Sequence, residues 1–209
     1  MRRNQILLLL LTVTSLSFFS CKKDKDKPQP TTVRIDGKDY PIVTIGNQTW
    51  MAANYSGTTG VYYDNDINNA AGGKFYTKEE AKALVPPAGW RLPSYEDYVD
   101  LFKSQGVNFS INGNAGFATQ SDKLRPFMSI NGWIGGEGTN TTGFNMQPVG
   151  FYEDGEFSHK GGSVSYWTSN ELPPQRYYFG IFNTAEQPIA YYGPIGTDQK
   201  FPVRFVKNK

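Results

Sequence analysis

Cysteine and histidine are nearly missing from this chain, whose 209 residues hold one of each, Cys21 and His159. With its single thiol near the amino terminus, the rest of the chain has no disulfide, no cysteine nucleophile and no cysteine-ligated zinc. A single histidine removes paired-histidine metal sites and makes any catalytic triad depend on His159. An excess of charge is missing too: 21 basic residues face 19 acidic ones, and setting aside Arg2 and Arg3 leaves 19 against 19. A chain so balanced has no electrostatic footprint for a phosphate backbone, so nucleic acid is not an expected partner. The apolar run from Ile6 to Phe19 falls short of the about 20 residues that cross a bilayer. What the chain has instead is rings. Phe, Tyr and Trp make up 15% of it, enough large apolar surface to fill a core without covalent staples.

Residues 1–20 read as a secretory signal peptide, with Arg2-Arg3, then the apolar run, then the small Ser20. Cys21 directly after a small residue resembles a bacterial lipoprotein processing site. That resemblance implies that Cys21 is lipidated, carrying acyl chains such as palmitate, and becomes the first residue of the mature protein. At about 0.8 kcal/mol per buried methylene, several chains on one cysteine hold a domain at a membrane. The implied location is the bacterial outer membrane, on its periplasmic or cell-surface face. Residues 21–32 supply the tether: Lys22 to Lys27 alternates charges, Pro28-Gln29-Pro30 follows, and nothing there can be buried. Residues 33–209 then form one domain of ordinary size.

Within that domain the clearest local signal is Gly89-Trp90-Arg91-Leu92-Pro93-Ser94. Pro93 drives Leu92 out of helical space, Ser94 caps a helix beginning at Tyr95, and Asp97 sits near the positive end of its dipole. Tyr98, Leu101 and Phe102 share its inner face, and Gly106 ends it. Thr77-Lys78-Glu79-Glu80 is a capping box for a second, shorter helix stopped by Pro86-Pro87. Asp36-Gly37 joins two strands as a tight hairpin, and Gln48 to Ala52 forms a third. Asn108 to Thr142 is dense in Gly, Asn, Ser and Thr and reads as a long loop region, with a short helix from Ser121 to Arg125. From Gly143 the pattern is strands: Phe144, Met146 and Pro148 alternating, a hairpin at Asp154-Gly155, a central strand at Val164 to Ser169, then Tyr177–Phe182, Ile189–Tyr192 and Phe201–Val206. The expected class is α+β, with two helices packed on a twisted antiparallel sheet.

Ile45-Gly46-Asn47-Gln48-Thr49-Trp50-Met51-Ala52-Ala53-Asn54, Phe75-Tyr76-Thr77, Gly89 to Pro93, Thr142-Gly143-Phe144, Tyr166-Trp167-Thr168-Ser169-Asn170-Glu171 and Val203-Arg204-Phe205-Val206, taken in order, resemble the Fibrobacter succinogenes major paralogous domain. The resemblance spans nearly all of Val33 to Lys209. It implies an exported bacterial protein with a C-type-lectin-like fold, related to the formylglycine-generating enzymes, in which the chain ends pair as strands and a long loop region lies above the sheet. It implies no reaction. Formylglycine generation runs through cysteines that this domain lacks, and the calcium-lectin motifs are replaced by Gln187-Pro188-Ile189 and Trp167-Thr168-Ser169.

The expected function is therefore a non-catalytic binding or adhesion module on an envelope lipoprotein, recognising a glycan or a protein. Trp133, Tyr152, Tyr62 and Tyr63 are the candidate ligand-binding residues, because rings offer a flat apolar face and a polar edge. Trp50, Trp90 and Trp167 read as core. Asp64 and Asp66, in the polar run Tyr62 to Asn69, are weak candidates for calcium, lacking the glycine and distal glutamate of an EF-hand. No motif calls for a cofactor. The alternatives are a structural envelope protein without a soluble ligand, and a glycoside hydrolase using a pair from Glu137, Glu153, Asp154, Glu156 and Glu171.

Overall fold

The computed structural model describes residues 31–172, 175–184, 186–196 and 198–208. The leader, Cys21 and the tether up to residue 30 lie outside the described residues. Strands β1 (Thr32–Ile35) and β2 (Lys38–Ile45) meet across Asp36 and Gly37, both at positive φ, and β3 (Gln48–Met51) follows a second tight turn at Gly46-Asn47. This sheet is completed by β4 (Trp90–Arg91) and β12 (Val206–Lys207), in the order β1-β2-β3-β12-β4. The chain's last strand thus returns to the sheet of its first, but pairs with β3 and β4 rather than with β1.

The second sheet contains β5 (Ser110–Asn112), β6 (Ala115–Ala118), β9 (Ser163–Leu172), β10 (Gln175–Asn183) and β11 (Pro188–Ile195), in the order β5-β6-β11-β10-β9 and antiparallel throughout. A small hairpin, β7 (Phe151–Glu153) and β8 (Glu156–Ser158), turns at Asp154-Gly155. The protein is thus mostly antiparallel β, with a few short helices.

Four sequence expectations are corrected here. The stretch from Asn108 is not all loop: residues 110–118 form a hairpin that extends the sheet through β6 and β11. The strand expected to be central, β9, ends the sheet, and it is buried because Pro202 and Gly150 close on it through Trp167 N–H to Pro202 O (3.3 Å) and Gly150 N–H to Ser163 O (2.8 Å). Phe144, Met146 and Pro148 form no strand; Met146 makes a single bridge to Met128 while Phe144 and Met146 fill the core. Of Phe201 to Val206, only Val206 lies in a regular ladder.

Helices α1 (Lys78–Ala83) and α2 (Tyr95–Lys103) both begin with complete capping boxes, Thr77 with Glu80 and Ser94 with Asp97, and a third, α3 (Ser121–Leu124), is one turn long. The amphipathic face of α2 lies on β9 and β10, where the Tyr98 ring stacks on Phe179 (4.7 Å, 4°) and meets Trp50 (4.7 Å). Asp97, in the first turn of α2, is buried, because its carboxylate accepts from both Arg91 Nη atoms and from Ser94 N–H. Trp50 and Trp167 are core, and Trp90 packs half-buried at its margin.

Candidate functional site

The Asx-rich run forms two short 3-10 turns, Tyr63–Asn65 and Ile67–Gly72. Asp66 Oδ1 accepts from the N–H of Asn68, and Asn69 Nδ2 donates to Tyr63 O (3.0 Å), so the turns are closed by their own side chains. They form one wall of a cleft of about 390 Å³. Tyr63, Asn68, Asn69 and Phe75 line it together with Asn131, Gly132, Ile134, Gln147, Pro148, Val149, Lys160 and Gly161. The Ile134, Pro148 and Gly161 part of the lining is held by backbone bonds from Ile134 N–H to Gly161 O (2.8 Å) and Gly161 N–H to Pro148 O (2.7 Å), and by Asn183 Nδ2 on Ile134 O (2.9 Å).

Lys160 Nζ donates to Asn69 Oδ1 (2.6 Å) and lies 4.9 Å from the Tyr63 ring centroid, so the cation is positioned by an amide and a π face. Burial, then the neighbouring Asp64 carboxylate, raises the Tyr63 pKa, keeping its hydroxyl protonated and able to donate. Four amide side chains and one lysine supply donors and acceptors, while Tyr63, Phe75, Ile134, Pro148 and Val149 supply apolar surface. None of the described lining residues is acidic.

Trp133 does not present its ring. It is 4% exposed, and its Nε1 donates to Ser129 Oγ (3.1 Å) and Met146 O (3.2 Å), anchoring the loop that carries Asn131, Gly132 and Ile134. Tyr152 lies in a separate, more polar depression with Asp64, Asn65, Glu156, Phe157 and Lys200. Phe157 links the two cavities, 4.9 Å from Tyr63 and 5.0 Å from Tyr152, so those two candidates belong to one row of rings. Tyr62 stands apart, its hydroxyl on Ser56 Oγ (3.3 Å) and its ring under Lys74. Asp64 and Asp66 are exposed, Asp66 serves as a cap, and among the described residues no three His, Cys, Asp or Glu side chains are grouped to hold a metal ion.

Of the acids considered for hydrolysis, Glu171 pairs with Lys82 (2.9 Å), and Glu153 accepts from Gln199 Nε2 (2.8 Å). His159 is exposed and stacks on Phe151 (4.8 Å). Sequence reasoning missed Lys160, Asn131, Gln147 and Ile134 as cleft residues. The available signal was weak: Lys160 directly precedes Gly161-Gly162, a pair that marks a turn, and Gly161 sits at φ +88.

A family model, the Fibrobacter succinogenes major domain, matches residues 43–207. The chain belongs to that family. No curated protein and no solved structure matches it. In this member of the Fibrobacter succinogenes major domain family, the fragments that carry the resemblance build the frame around the cleft. Arg204, fully buried, donates to Asn54 Oδ1 (2.8 Å), to Asn145 O (2.8 Å) and to Phe144 O, and Asn54 Nδ2 in turn donates to Gly72 O (2.8 Å) on the cleft wall. Among the lining residues, only Phe75 falls within those fragments.

Proposed function

We propose that this protein is a non-catalytic binding module whose ligand is a glycan held in the Tyr63 cleft. One observation carries the proposal: the lining combines rings and aliphatic side chains with the amides of Asn68, Asn69, Asn131 and Gln147 and the ammonium of Lys160. A sugar ring has an apolar C–H face and a rim of hydroxyls, and this distribution of surface suits both. The cleft lies at the lower end of the 300 to 1,000 Å³ usual for small-ligand sites, about the scale of one or two sugar units. A two-carboxylate mechanism needs acids roughly 5 to 10 Å apart across the scissile bond, and the lining supplies none, which favours recognition over hydrolysis.

The same reading places the module on an envelope lipoprotein, lipidated at Cys21 and held at the outer membrane by its anchor; the charged leader, apolar run and small-residue junction support it. It also takes the fold to be C-type-lectin-like. Supporting this are the return of the last strand to the first sheet and the Gly-Trp-Arg-Leu-Pro approach to α2. A glycan array probed with wild-type protein, Tyr63→Ala and Gln147→Ala tests the ligand class. Retention of a glycan by wild type, weakened at least about tenfold in both variants, is the expected result; no retained glycan, or equal retention by all three, rejects it.

A further inference from the structure

On the opposite side of the large sheet from α2, β9 and β10 place two small residues directly across from each other, Ser165 and Gly180. A Cβ at Gly180 would come within 2.7 Å of Ser165 Oγ, so the dent between the strands exists only because both positions are small. Large side chains rise around it. Phe151, Tyr178 and Phe201 form buried walls, Phe182 and Ile195 form a half-exposed rim, and the enclosed volume is about 270 Å³.

Besides the Tyr178 hydroxyl, two polar side chains break this apolar lining. Ser165 Oγ, in a residue only 1% exposed, has no hydrogen-bond partner among the described residues. A buried hydroxyl without a partner costs free energy that a bound acceptor or donor recovers. At the rim, the Glu153 carboxylate accepts from Gln199 Nε2, which orients it, while Gln199 Oε1 is itself unpartnered. The surroundings are acidic. Glu153 stands opposite Glu156 across the β7–β8 hairpin, with Asp154 in its turn, while Lys200 lies with its Nζ 4.5 Å over the Tyr152 ring.

We infer that this pocket is a second binding site, distinct from the Tyr63 cleft, for a small amphiphilic amine. The ligand's apolar body lies against Phe151, Tyr178 and Phe201. A hydroxyl at its inner end meets Ser165 Oγ once that side chain turns about χ1 toward the pocket, and an ammonium at its outer end meets the Glu153 carboxylate. An anion at the rim would face Glu153 uncompensated, and a purely apolar guest would leave Ser165 unpaired.

The test titrates the full chain with tyramine, phenethylamine and hydroxyphenylpropionate by calorimetry, and maps backbone amide shifts by NMR. Tyramine is expected to bind saturably and to shift the amides of Ser165 and Gly180. Phenethylamine, lacking the hydroxyl, should bind about fivefold more weakly, and the acid not measurably. Ser165→Ala should erase the difference between tyramine and phenethylamine, and Glu153→Gln should weaken both amines about tenfold. Shift mapping on the wild type keeps the test decisive should a variant fold poorly. No saturable tyramine binding, shifts confined to other surfaces, or equal affinity for amine and acid would overturn the assignment.

Discussion

Arg204 Nε donates to Asn54 Oδ1 at 2.8 Å, joining positions 150 residues apart and tying the last strand region to the first sheet's exit. The guanidinium also lies between the rings of Phe144 (4.7 Å) and Tyr166 (5.2 Å) and reaches the carbonyls of Phe144 and Asn145. Its charge is compensated by oxygen dipoles and π faces, an arrangement that a point-like ammonium cannot reproduce. Arg204→Lys should therefore destabilise the fold by about 3 kcal/mol or more, and Asn54→Ala by a comparable amount, because each leaves buried polar groups without partners. Urea unfolding midpoints measure both. A loss under about 1 kcal/mol for Arg204→Lys would show that the planar fork is not what matters.

Asp97 makes stability depend on acid pH. Burial disfavours its charged form, but hydrogen bonds from Arg91 and from Ser94 N–H, with the attraction of the Arg91 guanidinium, outweigh it and leave the carboxyl below its ordinary value. Since the folded value lies under the unfolded one, the unfolded chain takes up its proton first as pH falls. The contribution is complete above the ordinary aspartate pKa of about 3.9 and is lost as pH falls through the folded value. Asp97→Asn should flatten the part of the stability profile below about pH 4 and lower stability at neutral pH by about 1 to 2 kcal/mol through the lost cap and ion pair. Thermal unfolding across pH 2 to 7, wild type against variant, is the measurement, the range being roughly that in which carboxylates titrate.

These two sites mark what the sequence discloses and what it hides. Ser94, Pro93, Thr77 with Glu80, and Asp36-Gly37 act within three or four residues of themselves, so the starts of α1 and α2 and the first hairpin are legible without the fold. The pairing of β6 with β11 joins Gly116 to Tyr192, and although Asn112-Gly113-Asn114 marks a turn, the small and polar residues around it do not announce strands. Gly116 shows the tertiary reason: a Cβ there would strike the Tyr192 ring at 2.4 Å, so a residue that weakens a strand locally is what allows this one to pack. The cleft was half legible for the same reason. The run at Tyr63 closes through its own Asp66 and Asn69, whereas Lys160 joins it across 91 positions.

Trp133 links stability to the cleft wall. Its indole is buried and bonded at Nε1 to Ser129 and Met146, and its chain neighbours Gly132 and Ile134 both line the cleft. Trp133→Ala should cost about 3 to 5 kcal/mol, as for other large aromatic deletions in cores. Trp133→Phe keeps most of the volume and loses the two indole hydrogen bonds, but Ser129 Oγ keeps Asn131 O and Met146 O keeps Ser129 N–H, so a smaller loss of about 1 to 2 kcal/mol is expected. Chemical denaturation of both variants provides the check. Parallel glycan binding by the phenylalanine variant should fall less than its stability does, since the ring itself touches no ligand.

Gly161 offers a way to move the cleft wall without removing any functional group. It sits at φ +88, and a Cβ there would come within 2.8 Å of Ile134 Cδ1, a side chain 70% exposed that has room to swing outward. Gly161→Ala should cost about 1 to 2 kcal/mol, mainly from the left-handed backbone conformation, since the isoleucine tip can yield. The displaced Ile134 side chain changes the cleft mouth while Tyr63, Gln147 and Lys160 stay in place. Any ligand whose apolar face rests on both Tyr63 and Ile134 should then bind more weakly in Gly161→Ala, Ile134→Ala alone should weaken it to a similar extent, and the double variant should bind no worse than Ile134→Ala. Equilibrium binding of the single and double variants, with unfolding midpoints measured alongside, separates the two effects. If the double variant binds more weakly than Ile134→Ala, the extra loss comes from the backbone at Gly161 and not from Ile134.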